Sequence, residues 1–406
     1  MSDRGAIIEL TVDRAAHGGT TVGRHDGKTI FVAFALPGER VRARITFDKK
    51  RFAFAEVVEV LDASPERVQP MCKHFGVCGG CRWQHAAYPL QLDMKRGVVI
   101  EQLARSAHLP DVIVHPTLGA ESPYGYRVHA TLHGSAAGTL GFVGMNERNV
   151  IAIDECPILR PDLEEAFQHF KQQRMAFPAG MRVRLQVGDE GEPTSSIIHS
   201  NPDPDAPDDD DLMVTQTAQA VTPVFYTVMG RRFRCSAGAF FQVNPPQAAV
   251  LIEQALARLN LMGVETVLDL YSGGGLFSAF VAYAAKQVIA VELAPLAVAD
   301  ARVNLADVPN VEIYSGEVET LLPMLAQSFR FDAVLLDPPR SGMKPQALEA
   351  LIACAPRRIA YVSCDPATLA RDARRLVDAG YRLIDVQPVD MFPQTFHIEC
   401  VAGFEK

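Results

Sequence analysis

The sequence predicts an α/β protein in which a doubly wound, Rossmann-like parallel sheet follows a small OB-like β-barrel and a strand-rich central region. Three observations predict it. From about residue 238, strand-like apolar runs alternate with helical ones, the pattern of a parallel sheet covered on both faces. A glycine turn, Asp269-x-x-x-Gly273-x-Gly275, directly follows one of those strands. Near the N-terminus, residues 6–61 carry short, evenly spaced strands broken by turn residues. At 406 residues, two or three domains are expected, and we divide them at 1–66, 67–238 and 239–406.

Composition narrows the class. With 48% hydrophobic and 21% charged residues, the chain reads as a soluble globular protein. No apolar run approaches a membrane span, and the start has no signal-peptide core, so we expect a cytoplasmic protein without a membrane partner. In a reducing compartment, its eight cysteines suit ligands, nucleophiles or core fillers better than disulfides. The net charge of −9 owes six of its units to Asp203, Asp205, Asp208, Asp209, Asp210 and Asp211. The sum therefore neither supports nor excludes a nucleic-acid partner. The surrounding stretch, 201–211, reads as a mobile surface loop without chemistry.

Taken in order, the barrel strands fall at 7–12, 29–34, 40–47 and 52–60, with turns at Gly18-Gly19, Asp26-Gly27 and Pro37-Gly38. Arg40, Arg42 and Arg44 alternate with Val41, Ala43 and Ile45, so one face is guanidinium-lined; Lys49, Lys50 and Arg51 follow. Such a face suits a nucleic-acid backbone, although a charge-guarded edge strand has the same pattern. Cys72, Cys78 and Cys81 then lie within ten residues among glycines, a ligand loop rather than core packing. The one plausible fourth ligand is Cys156, followed by Pro157. Zinc and a [4Fe–4S] cluster are the candidates. A close triplet plus a Cys-Pro step favours the cluster over the paired arms of zinc sites.

An amphipathic helix is expected at 88–107, packing on the C-terminal domain, then strands at 127–133, 140–143, 150–153, 182–187 and 224–229. In the C-terminal part, a strand at 266–271 leads through the glycine turn into a helix at 276–285. Further strands follow at 288–292, ending on Glu292, at 331–337, ending on Asp337, and at 359–363, which delivers Cys364 to its carboxyl end. Ligands of open α/β sheets sit beyond those ends. Glycine lets a nucleotide-like ligand approach, and Glu292 can accept from ribose hydroxyls. A dinucleotide fingerprint wants a third glycine where Ser278 stands, which favours S-adenosylmethionine over NAD.

With these residues in hand, the chain resembles the RNA uridine-C5 methyltransferase family. The resemblance rests on the barrel (TRAM-like, through Gly18-Gly19 and 36–39), the four cysteines, and Phe240-Phe-Gln-Val-Asn244. It extends through Asp269–Gly275, Asp337-Pro-Pro-Arg340, Ser363-Cys-Asp-Pro366 and the run 390–399. It implies that Cys364 is the nucleophile and Glu399, in a strand-like run at 396–404, the base. It also implies a methyltransferase sheet with Gln242, Tyr271, Gly273, Gly275, Glu292, Glu317 and Asp337 at the S-adenosylmethionine site. Phe240, Gln242, Asp337, Arg340 and Arg127 would meet RNA, and Cys72, Cys78, Cys81 and Cys156 would hold a structural [4Fe–4S] cluster. The expected substrate is a uridine in ribosomal RNA, with transfer RNA and a non-catalytic RNA-binding role as alternatives, and a monomer is expected.

Overall fold

Alternation of inward apolar and outward polar side chains closes the N-terminal barrel. Strands β1 (Ile7–Ala15), β2 (Thr21–His25), β3 (Lys28–Ala33), β4 (Arg40–Asp48) and β5 (Phe52–Asp62) are joined in the order β1-β2-β3-β5-β4. Leu10, Val12, Ile30, Val32, Val41 and Ile45 fill its interior. The structure, a computed structural model, describes residues 4–145, 149–172, 177, 179–198 and 222–406; the acidic stretch 201–211 lies outside them.

The arginine row on β4 faces outward, but it is not the bare cationic strip that its spacing suggested. Arg40 bonds Asp62 at 2.7 Å and also Glu9, Arg42 bonds Glu59 at 2.9 Å, and Arg44 stands opposite Glu56. Acids on the neighbouring strands β1 and β5 already face these guanidinium groups, so the expected phosphate-tracking face is a ladder of cross-strand ion pairs.

Beyond the barrel come α1 (Tyr88–Ser106), β6 (Ile113–Val114), β7 (His129–Gly134), β8 (Leu140–Val143), β9 (Val150–Ala152), α2 (Pro161–Gln172), β10 (Arg182–Gln186) and β11 (Thr194–Ile198). Strands β7 to β11 make a five-stranded sheet in the order β11-β10-β7-β8-β9. The hairpin β12 (Val224–Val228) and β13 (Arg231–Cys235) turns at Met229-Gly230, both with positive φ, as a two-residue hairpin turn demands. Three of these strands, β6, β11 and β13, are absent from the sequence reading. β6 is too short to show a period, and β13 alternates arginine with Phe233 and Cys235.

The remaining elements are α3 (Pro245–Leu259), β14 (Thr266–Leu270), α4 (Leu276–Ala284), β15 (Gln287–Glu292), α5 (Pro295–Asn304), β16 (Val311–Ser315), α6 (Val318–Ser328), β17 (Ala333–Leu336), α7 (Pro345–Cys354), β18 (Arg358–Ser363), α8 (Pro366–Asp378), β19 (Arg382–Val389) and β20 (Glu399–Glu405). Proline opens α3, α5, α7 and α8, where its missing N–H costs nothing. The eight-stranded sheet runs β16-β15-β14-β17-β18-β20-β19-β6. Its central strands are buried on both faces: Ala360 and Val362 join the core under α3 and α4, while Ile359 and Tyr361 join the core under α1, α6, α7 and α8. Two pieces assigned above to the central region belong to these layers. α1 packs against α8, and β6 extends the sheet beside β19. No described helix is long and apolar enough to cross a membrane.

Candidate active site

Strand direction gathers the site. β14, β17 and β18 run parallel and end at one edge of the sheet, whereas β20 runs antiparallel to β18 and therefore begins there. The β18–β20 register pairs Ser363 with Cys400. Continued by one step beyond the end of β18, the same register would set Cys364 opposite Glu399, the spacing at which facing residues lie about 5 Å apart between Cα atoms. Glu399 is buried and Cys364 half-buried. Asp337 sits one residue past β17, and Gln242 Nε2 approaches its Oδ2 at 3.5 Å. The strand expected at 396–404 starts only at Glu399, because the preceding residues form a loop with Gln394 at φ +71°.

Strand order reverses between β14 and β17, with β15 and β16 on one side and β18 on the other, which is where such sheets bind ligands. After β14 the backbone turns through Tyr271 (φ +63°), Gly273 (φ +55°) and Gly275 (φ +83°). A Cβ on Gly275 would lie 2.7 Å from Leu305 Cδ1, so a side chain here would force Leu305 to shift as well as strain the left-handed backbone, whereas one on Gly273 would meet open space. Glu292 braces the turn: its Oε2 accepts from the Gly273 N–H at 2.8 Å and its Oε1 from the Ala294 N–H at 2.7 Å. A carboxylate has further lone pairs for ribose hydroxyls. Ser278, in place of the third glycine, donates to Asp269 Oδ2 at 2.5 Å. Asp269 Oδ1, Ser272 Oγ and Asn244 Nδ2 are buried without a hydrogen-bond partner in the protein. Orphaned polar atoms beside an open glycine turn fit a polar ligand such as S-adenosylmethionine. Burial pushes the Asp269 carboxyl up to about 7. Glu317 lies past the end of β16, exposed, with Lys344 Nζ at 3.9 Å.

The loop 390–398, which precedes Glu399, is held from three directions. Arg340 bonds His397 Nδ1. Burial, reinforced by Arg340, Lys95 and Arg127, pushes the His397 imidazole well below its ordinary value. From the barrel side, the Trp83 indole donates to Gly19 O at 3.0 Å, and a Cβ on Gly19 would press on Phe396 at 3.0 Å; both Gly18 and Gly19 have φ +88°, which favours glycine at each. His17 Nε2 lies 3.0 Å from Asp365 Oδ2, while Asp365 Oδ1 caps α8 by accepting from Ala367 and Thr368 N–H groups. From α1, Tyr88, Gln91 and Lys95 reach the same loop. These residues escaped the sequence reading. The available signal was Gln91 and Lys95 sharing the buried face of α1 with Met94 and Val98.

Cys72, Cys78, Cys81 and Cys156 line one cavity, with Arg127 and Gln84 in its wall, and all four are free thiols. Gly79 N–H donates to Val143 O at 2.9 Å, and a Cβ there would collide with that oxygen, so glycine lets the loop fold against β8. Burial pushes the Cys81 thiol up to about 12, and Cys156 higher still. Burial raises the Cys78 thiol as well, and thiols held protonated in this way fit a cationic metal centre that would stabilise them as thiolates. Among the described residues, no group of three or more His, Cys, Asp or Glu is disposed to hold a single metal ion. Arg127, expected at the RNA site, is thus a wall of this cavity, and its charge also reaches His397. Phe240 is 40% exposed, with its ring 6.4 Å from that of His129.

The model of the tRNA (uracil-5-)-methyltransferase family matches residues 225–406, and that of the TRAM domain matches residues 2–58. The uncharacterized RNA methyltransferase BH0687 of Halalkalibacterium halodurans is 36% identical, over 98% of this chain and 97% of its own length. The 23S rRNA (uracil(1939)-C(5))-methyltransferase RlmD of Photorhabdus laumondii is 35% identical over 98% and 97%. Among solved structures, the Pyrococcus abyssi tRNA (uracil-54, C5)-methyltransferase, in complex with S-adenosyl-L-homocysteine, superposes with a TM-score of 0.70. It shares 25% identity over 97% of this chain and 99% of its own. A match of more than a third identity from end to end leaves one conclusion: the chain belongs to the family of RNA uracil-C5 methyltransferases, S-adenosylmethionine-dependent enzymes, and carries a TRAM barrel at its N-terminus.

Proposed function

We propose that this enzyme methylates C5 of a uridine in ribosomal RNA, with Cys364 adding to C6 of the base and Glu399 removing the C5 proton. Uracil C5 is too weak a nucleophile to be alkylated directly. When bound, S-adenosylmethionine supplies a methyl group activated on a sulfonium. The Cys364 thiolate forms a bond to C6 and drives an electron pair into the 4-carbonyl, which makes C5 the nucleophilic end of an enolate. Once C5 carries the methyl group, Glu399 takes the remaining C5 proton. The freed pair restores the C5=C6 bond, and the C6–S bond breaks to release the thiolate. Asp337 accepts from the uracil N3–H, with Gln242 beside it, and Phe240 stacks on a base flipped from its helix. At the β4–β5 end of the barrel, Phe47 (45% exposed), with Lys49 over its ring, and the neighbouring Phe54 (39% exposed) offer RNA bases a stacking surface.

The observation that supports this reading is the β18–β20 register, whose last pair, Ser363 with Cys400, is followed along the chain by Cys364 and preceded by Glu399 at the ligand edge of the sheet. Cys72, Cys78, Cys81 and Cys156 would hold a [4Fe–4S] cluster that ties the 72–81 loop to the segment before α2. With every iron taken by a cysteine, its role is structural. Ribosomal RNA is favoured by the end-to-end likeness to the 23S rRNA enzyme; transfer RNA is the second reading, favoured by the likeness to the archaeal structure. RNA containing 5-fluorouridine should trap a gel-stable adduct with the enzyme and cofactor, because fluorine cannot leave C5 as a proton, and Cys364→Ala should abolish it. Wild type that turns over ordinary RNA yet never traps the fluorinated one would sink the covalent route. Mapping 5-methyluridine in ribosomal and transfer RNA from cells with and without the protein separates the two substrates.

A further inference from the structure

Lys95 is wholly buried, and so is its partner Asp390. Its ammonium donates to Asp390 Oδ1 at 2.6 Å, to Phe392 O at 3.1 Å and to His397 O at 2.8 Å. All three donors of the side chain are thereby used. The three acceptors span the loop between β19 and β20: Asp390 follows β19, and His397 stands two residues before Glu399. One cation therefore draws the two ends of this loop together. Gln91, one turn earlier on α1, fastens its middle: Gln91 Oε1 accepts from the Gln394 N–H at 3.0 Å, and Gln91 Nε2 donates to Gln394 Oε1 at 3.0 Å. Tyr88 OH donates to Asp390 Oδ2 at 2.9 Å.

A buried ion pair is a poor source of stability, since desolvating both charges offsets their attraction, and apolar residues of similar volume serve as well or better. What such a pair provides is direction. The loop has no regular hydrogen bonding of its own, yet it must deliver one carboxyl to a fixed point opposite Cys364.

We propose that Lys95 is a positioning residue for Glu399: it sets where the carboxyl stands for proton removal, without touching the RNA or the cofactor. The proposal rests on the covalent route above and makes a demand that general loosening of the fold would not meet. With Glu399 displaced, Cys364 still adds to C6 and C5 still takes the methyl group, but the C5 proton stays and the C6–S bond cannot break. The methylated enzyme–RNA adduct then accumulates on ordinary uridine, where wild type releases product.

The test uses the paired variant Lys95→Met with Asp390→Asn, which avoids leaving a lone buried carboxylate, and separately Gln91→Met, which removes two bonds from the loop without touching a charge. Each is given ordinary RNA and radiolabelled S-adenosylmethionine, and in parallel 5-fluorouridine RNA. The expected result is a drop in multiple turnover of about 100-fold, the scale of a misplaced general base. A gel-stable adduct carrying label should appear on ordinary RNA, and fluorinated RNA should still be trapped as in wild type. Loss of turnover with no adduct on ordinary RNA while fluorinated RNA is still trapped overturns the proposal, as does wild-type turnover in both variants. Should the paired variant not fold, Gln91→Met decides by the same two readouts. Failure of wild type to trap fluorinated RNA is a different result and strikes the covalent route itself.

Discussion

The two sides of the crevice treat polar atoms in opposite ways. On the side of the 390–398 loop, the buried polar groups bind one another: Lys95, Asp390, Tyr88 and Gln91 have their partners within the protein. On the side of the glycine turn, Asp269 Oδ1 and Ser272 Oγ are buried with none, beside a Gly273 that opens onto free space. Leaving such groups unpaired costs about 1–3 kcal/mol each, so they persist where a ligand completes them. The satisfied side is a jig that holds the loop leading to Glu399, and the unsatisfied side has the character of a receptor.

Three changes would sharpen or break that contrast. The largest effect is expected on the jig side. Glu399→Gln keeps the shape of the side chain and removes the base, so multiple turnover should fall by about 1,000-fold while cofactor affinity, measured by calorimetry, stays at the wild-type value. A parallel loss of cofactor binding would mean that the two sides are not separate. Next comes Gly275→Ala on the receptor side. A left-handed residue and a Cβ 2.7 Å from Leu305 should together cost about 1–3 kcal/mol, read as cofactor affinity some tenfold weaker and an earlier denaturant midpoint. Adduct release from any RNA already methylated should be unchanged.

The remaining change concerns pH. Burial raises the Asp269 carboxyl to about 7, against about 4 in an unfolded chain, so the folded state holds an extra proton between those values. Ionising it therefore subtracts stability as pH rises from about 4 to about 7, by at most about 1.4 kcal/mol per pH unit. Asp269→Asn titrates nothing there and should gain on wild type across that window, with the difference constant on either side. Urea unfolding at a series of pH values measures it, and a flat difference would show that the carboxyl is not held protonated.

How much of this was open to a reader of the sequence depends on the range of each constraint. Four of the five barrel strands, the glycine turn and the strand leading to Cys364 follow from local period and backbone permissiveness and stand where the sequence reading set them, while the short β2 was missed. Arg40, Arg42 and Arg44 were read correctly as outward, but their partners Asp62, Glu9 and Glu59 come from other strands, so neutralisation of the row could not be seen. The tip of the 396–404 run was misjudged because His397 and Ile398 look like strand residues while the tether to Lys95 keeps them in a loop.

The sequence by itself determined the doubly wound sheet, the TRAM barrel and the identity of the thiol at the sheet edge, because each is written in residues adjacent along the chain. Tertiary packing alone put Cys364 and Glu399 beside the last β18–β20 pair, made Arg127 a wall of the cysteine cavity, and anchored the loop before Glu399 to a lysine 295 residues upstream of Asp390. The reason is physical. Period and turn chemistry act over a few bonds, whereas strand register and buried ion pairs join segments whose separation along the chain leaves no local trace.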